Sequence, residues 1–94
     1  MKRRVLVLAA AELDLLRLED FLVEKSPRAA ERAALAISQA VESLAKLSER
    51  GRPSPLPGVR ELVVRFGGAA YVIRYRVTAE EVVVARIFHS REGR

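Results

Sequence analysis

The chain has no cysteine and no tryptophan, one histidine, two tyrosines and three phenylalanines. Without cysteine there is neither a disulfide framework nor a thiolate zinc site, which suits a reducing compartment; the expectation is the cytoplasm. So few aromatic residues mean that the core must be assembled from Val, Leu, Ile and Ala, which pack well in two layers. Long apolar runs are also missing. The longest, residues 5–11, falls far short of the roughly twenty residues of a membrane-spanning helix, so no span is expected. Lys2-Arg3-Arg4 before that run imitates the start of a secretory signal, but Glu12 and Asp14 follow too soon and no cleavage-like small-residue site follows a full apolar core. There is no Gly-rich phosphate loop, because Gly67-Gly68 precedes a strand pattern rather than a helix, and no cluster of metal-ligating residues. Neither a metal nor another cofactor is expected.

What is present is basic and well patterned. Ninety-four residues carry 17 Lys or Arg against 12 Asp or Glu, a formal charge of +5. The excess is largely arginine, which is suited to bidentate contact with phosphate and carboxylate, so a polyanion or an acidic protein partner is implied. The length predicts a single domain over residues 1–94.

Residues 4–8 are short, apolar and rich in Val and Leu, as in a strand buried within a sheet. From Ala10 the period turns helical: Ala11, Leu15, Leu18 and Leu22 share a face over residues 10–25, without a capping side chain at the start but with Glu12 and Asp14 favouring the positive end of the helix dipole. Ser26-Pro27 marks a new helix, since serine caps free amides and proline is pre-set for the first helical position. Ala30, Ala33, Ala34, Ile37, Val41, Leu44 and Leu47 form its apolar stripe, and Gly51 follows a helix end expected near Arg50. The seven residues 52–58 hold three prolines and a glycine and read as a connector.

Residues 59–66, 71–78 and 82–88 then read as three strands joined by Gly67-Gly68 and Ala79-Glu80-Glu81. In the middle one, Tyr71, Ile73, Tyr75 and Val77 alternate with Val72, Arg74, Arg76 and Thr78, which predicts a buried face and a basic face. The expected class is α+β in the order β-α-α-β-β-β, a two-helix hairpin on one face of a mainly antiparallel four-stranded sheet whose covered face takes the tyrosines. The helices should pack through Leu15, Leu18, Leu22, Ile37, Val41 and Leu44.

In sequence, Ala11-Glu12-Leu13-Asp14-Leu15, the S-P-x-A-A start at Ser26, V-R-E-L from Val59, Y-V-I-R-Y-R-V from Tyr71 and R-I-F-H-S-R from Arg86 make an ordered set. With these the chain resembles toxins of the RelE/ParE family, whose members are the toxic halves of bacterial type II toxin–antitoxin pairs. The resemblance covers nearly the whole length. It implies growth arrest by the free toxin and neutralisation in a hetero-oligomer with a cognate antitoxin. The family divides between RelE-like members, which cleave messenger RNA on the ribosome, and ParE-like members, which poison DNA gyrase.

Metal-independent RNA cleavage needs two proton-transfer groups and a cation at the phosphate. His89 fits either proton role, Glu61 offers a carboxylate base, and Arg65, Arg74, Arg86 and Arg91 are the cations; the resemblance singles out the H-x-R of His89 and Arg91, and together with Arg65 as a cation these are the expected catalytic set if the chain is a ribonuclease. The same H-x-R occurs in gyrase-type members. A structural histidine and a solvated or ion-paired Glu61 are the competing readings. Arg60, Arg74, Arg76 and Arg86 form the expected contact surface for phosphates or for acidic antitoxin side chains. Tyr71 and Tyr75, on the other side of the alternation, are read as core. The strand over residues 60–66 lacks the lysine pair of RelE-like nucleases, and Val72 stands where they often place arginine. The ParE-like reading is therefore preferred. A RelE-like endoribonuclease and an inactive partner-binding relic are the alternatives.

Overall fold

The computed structural model describes residues 2–92; Met1, Gly93 and Arg94 of the expected 1–94 domain lie outside the described residues. Strand β1 (Arg4–Val7) leads into α1 (Ala9–Lys25) and α2 (Pro27–Ser43), followed by β2 (Arg52–Pro53), β3 (Val59–Phe66), β4 (Ala69–Val77) and β5 (Glu81–His89). The sheet runs β1-β5-β4-β3-β2, with β1 parallel to β5 and every other pairing antiparallel. Helix α1 lies against β5, and α2 against α1 and β3. This is the expected α+β architecture with one more strand: Arg52 and Pro53 pair with Glu61 and Arg60. Proline is tolerated there because β2 is an edge.

Several local expectations hold for their physical reasons. The Ser26 hydroxyl accepts the Ala29 N–H at 3.2 Å with Pro27 opening α2. Gly67 has φ +60° in the two-residue loop that closes the β3–β4 hairpin, a left-handed conformation that glycine adopts without a Cβ penalty. Tyr71, Ile73 and Tyr75 are buried under the helices with Leu18, Ile37 and Leu44, while Leu15, Leu22, Val41 and Val77 pack partly buried around them.

Three expectations need correction. Strand β1 is not interior: it is the edge beside β5, and Leu6 and Val7 are exposed. Helix α2 ends at Ser43 rather than near Arg50, and Leu47, expected in its stripe, is 59% exposed. The Leu44 N–H already reaches back only three residues, to Val41, the tighter geometry of a closing helix turn. Arg3 then donates its N–H to the Ala45 carbonyl at 2.7 Å, and the buried Tyr75 hydroxyl donates to the Ser48 carbonyl and accepts from the Gly51 N–H, both at 2.8 Å. These bonds satisfy backbone groups inside the protein, which outweighs the weak preference of residues 44–50 to continue as helix.

The role of Gly51 changes accordingly. It does not follow a helix end; it gives room for Tyr75. A Cβ at this position would sit 2.7 Å from the Tyr75 hydroxyl oxygen and 2.8 Å from the Glu61 carbonyl oxygen. Because one obstacle is strand backbone and the other a buried ring, Gly51→Ala is expected to cost about 1–3 kcal/mol by overpacking. Urea unfolding would check this, and a midpoint equal to that of the unmodified chain would show that the contact gives way freely.

Candidate functional site

The pleat of β3, β4 and β5 sorts the predicted residues onto different surfaces. Glu61 pairs with Arg74 across β3–β4, and Arg65 pairs with Ala70, on the side away from the helices; Tyr71, flanked by Val64 and His89, lies on the helix side. Arg65 and His89 therefore sit on opposite pleat faces. On the open face, Arg74 donates to a single Glu61 oxygen from Nε at 3.2 Å and from Nη2 at 2.9 Å. Its guanidinium also rests 5.0 Å from the centre of the Phe88 ring. Arg52 approaches the other Glu61 oxygen at 3.7 Å. Arg76 and Arg65 are exposed. Arg60 works inside the fold, donating to the Gly51 carbonyl at 2.5 Å and holding the segment after α2 against β3.

Arg86 does not share a contact surface with Arg74 and Arg76, although Arg74 is its cross-strand neighbour. The Arg74–Tyr75 register shift skips Ala85 on β5, a bulge that bends the strand. Strand β1 ends at Val7, and the Leu8 N–H bonds the Val84 carbonyl. The outer edge of β5 beyond this point is met by Asp14 of α1. The Asp14 carboxylate accepts the Ile87 N–H at 2.9 Å and two bonds from Arg86, at 2.7 and 2.9 Å, with Arg17 at 3.3 Å. Burial pushes its pKa up, but the hydrogen bonds from Arg86, the Ile87 amide and Arg17 outweigh it and hold the group at about 2. Asp14 was expected only to favour the helix dipole; its partners lie 72 and 73 residues away, so no local pattern points to them.

His89 and Arg91 do meet. The His89 Nδ1 accepts the Arg91 backbone N–H at 3.1 Å, and its ring stands edge-on to Tyr71, 5.4 Å between centres at 85°. Accepting at Nδ1 places the proton of the neutral imidazole on Nε2. Both residues border a cleft of about 430 Å³ between α1 and the end of β5. Leu18, Leu22 and Tyr71 line its apolar side, and Arg17, Phe21 and Lys25 come from α1. The Tyr71 phenol is pushed up by burial, which keeps it neutral. The sequence reading missed Arg17, Phe21 and Lys25; their spacing of four residues places them on one helix face, but not against β5. No group of three or more His, Cys, Asp or Glu able to hold a metal occurs among the described residues.

A small α+β domain with a helical hairpin over a mostly antiparallel sheet and a cation-bordered cleft defines a class that comparison identifies. The chain belongs to the RelE/ParE family of toxins: the family model described as "ParE toxin of type II toxin-antitoxin system, parDE" matches residues 5–93. It is 46% identical to Toxin RelE1 of Caulobacter vibrioides over 90 residues, covering 96% of each chain. With Toxin RelE3 of the same organism it shares 44% identity, covering 89% of this chain and 90% of the relative. A solved structure described as "Chromosomal ParDE TA system from P. aeruginosa" superposes with a TM-score of 0.80 at 27% identity, over 94% of this chain and 96% of that one. The protein is thus the toxin component of a type II toxin–antitoxin system, and its partner is an antitoxin. None of its described helices is long and apolar enough to cross a membrane.

Proposed function

We propose that the free chain arrests growth in the ParE manner, by a protein contact that poisons DNA gyrase in the cytoplasm, without hydrolytic chemistry of its own. The observation that carries this reading is the state of His89. Its Nδ1 is taken up by the Arg91 N–H, so that nitrogen is engaged within the chain rather than turned to a substrate hydroxyl. Of the cations that would accompany it in a ribonuclease only Arg91 is beside it: Arg65 lies on the other pleat face, Arg74 is held by Glu61 and Arg86 by Asp14. The missing strand lysines and the valine after Tyr71 support the same reading.

The alternative, a RelE-like messenger RNA endoribonuclease acting on the ribosome, is favoured by the RelE names of the Caulobacter relatives. Expression without antitoxin separates the two. DNA breaks and a DNA-damage response are expected, with transcripts intact, both for the unmodified chain and for His89→Gln, which keeps hydrogen-bonding capacity but cannot titrate near neutral pH. A general acid or base contributes about a hundred- to ten-thousand-fold in rate. Site-specific transcript cleavage that disappears in a stably folded His89→Gln chain would establish the ribonuclease instead, and unimpaired growth would leave only the inactive relic.

A further inference from the structure

The cleft between α1 and the end of β5 has a composition that selects its occupant. Among the described residues its charged groups are cationic, from Arg17, Lys25 and Arg91, and no carboxylate is among those that line it. Its apolar side is aliphatic where it is accessible: Leu22 is half-buried, Leu18 lies beneath, and the Tyr71 ring is 1% exposed and shielded by the edge-on His89. The remaining ring, Phe21, is 55% exposed but carries the Lys25 ammonium 4.7 Å from its centre. One face of the most exposed ring is thus taken by a cation, which leaves little platform for base stacking, the main sequence-tolerant attraction for single-stranded nucleic acid. An anion that also brings an aliphatic group fits better. The volume, about 430 Å³, falls within the range of small-ligand pockets, enough for a side chain or two rather than for a folded surface.

We propose that this cleft is the seat of an acidic segment of the antitoxin, which places an aliphatic side chain on Leu18 and Leu22 and neighbouring carboxylates on Arg17, Lys25 and Arg91. The assignment rests on the chain having an antitoxin partner and adds where on the chain that partner's acidic segment lies. Arg17, tethered by Asp14 at 3.3 Å, lines the cleft. Lys25 and Arg91 are exposed on either side of it. Carboxylate contacts to these cations beside an apolar anchor give both affinity and steered association.

The test uses the full chain and its cognate antitoxin. Lys25→Glu with Arg91→Glu is expected to weaken the complex by about tenfold or more and to flatten the salt dependence of the association rate. The matched reversal of Arg65→Glu with Arg76→Glu, on the open sheet face, should change affinity by less than about threefold. Equal thermal stability of the variants excludes a folding effect. A larger loss from Arg65→Glu with Arg76→Glu would put the acidic segment on the open face and overturn the assignment. Location is read independently: because the chain has no cysteine, Phe21→Cys creates a single thiol. Its labelling should slow about tenfold in the complex, whereas that of Arg65→Cys should not. Undiminished labelling at residue 21 in a formed complex would also overturn the proposal. Binding of a fluorescein-labelled single-stranded RNA that is lost with Lys25→Glu and Arg91→Glu would assign the cleft to nucleic acid instead. If the unmodified chain forms no complex, the partner itself is refuted and this seat with it, an outcome distinct from a complex that forms elsewhere.

Discussion

Asp14→Ala is expected to destabilise the protein by about 2–4 kcal/mol, slightly less than for a fully enclosed ion pair because the Arg86 side chain is 36% exposed and water recovers part of its solvation. The substitution removes the acceptor of the Ile87 N–H at the outer edge of β5 and the anion facing Arg86 and Arg17. The carboxyl also makes stability depend on pH. Its folded pKa, about 2, lies below its ordinary value of 3.8, so its stabilisation is complete above about pH 5 and is lost as the pH falls from about 4 through 2. That loss is on the order of 2 kcal/mol. Urea midpoints measured from pH 6 down to pH 2 should show a steep acid limb in the unmodified chain and a shallower one in Asp14→Asn. Parallel limbs in the two proteins would mean that Asp14 is not the group responsible.

Leu44→Ala should cost about 2–5 kcal/mol, because Leu44 is fully buried where α2 closes against the sheet and its removal leaves a cavity between layers. In a domain of this size each kcal/mol moves the melting temperature by about 4–8 °C, so the loss would be evident in a thermal scan. Leu47→Ala is the informative companion. Its side chain is exposed, and a change within about 0.5 kcal/mol is expected. Comparable losses at the two positions would show that the helix continues in solution and buries both leucines.

The sequence by itself determined the order and type of the main elements, because those depend on short-range physics. Ser26-Pro27 starts α2 through a cap and a pre-set φ, Gly67 permits the hairpin turn, and alternation along β4 buries Tyr71, Ile73 and Tyr75 together. The resemblance carried by Y-V-I-R-Y-R-V and R-I-F-H-S-R led to the family for the same reason: contiguous strand residues preserve a readable pattern. The tertiary structure alone decided where α2 stops, since the Tyr75 hydroxyl must hold Ser48 and Gly51 against the sheet. It also decided which arginines are held internally and which stand exposed. Arg86 and Arg76 look equivalent along the chain, but a bulge at Ala85 and the end of β1 bring Arg86 to Asp14. Arg17 and Lys25 join His89 and Arg91 only because α1 crosses β5 at that end. Electrostatic partnership acts through space over a few ångströms, and separations of more than 70 residues along the chain leave no periodicity from which to read it.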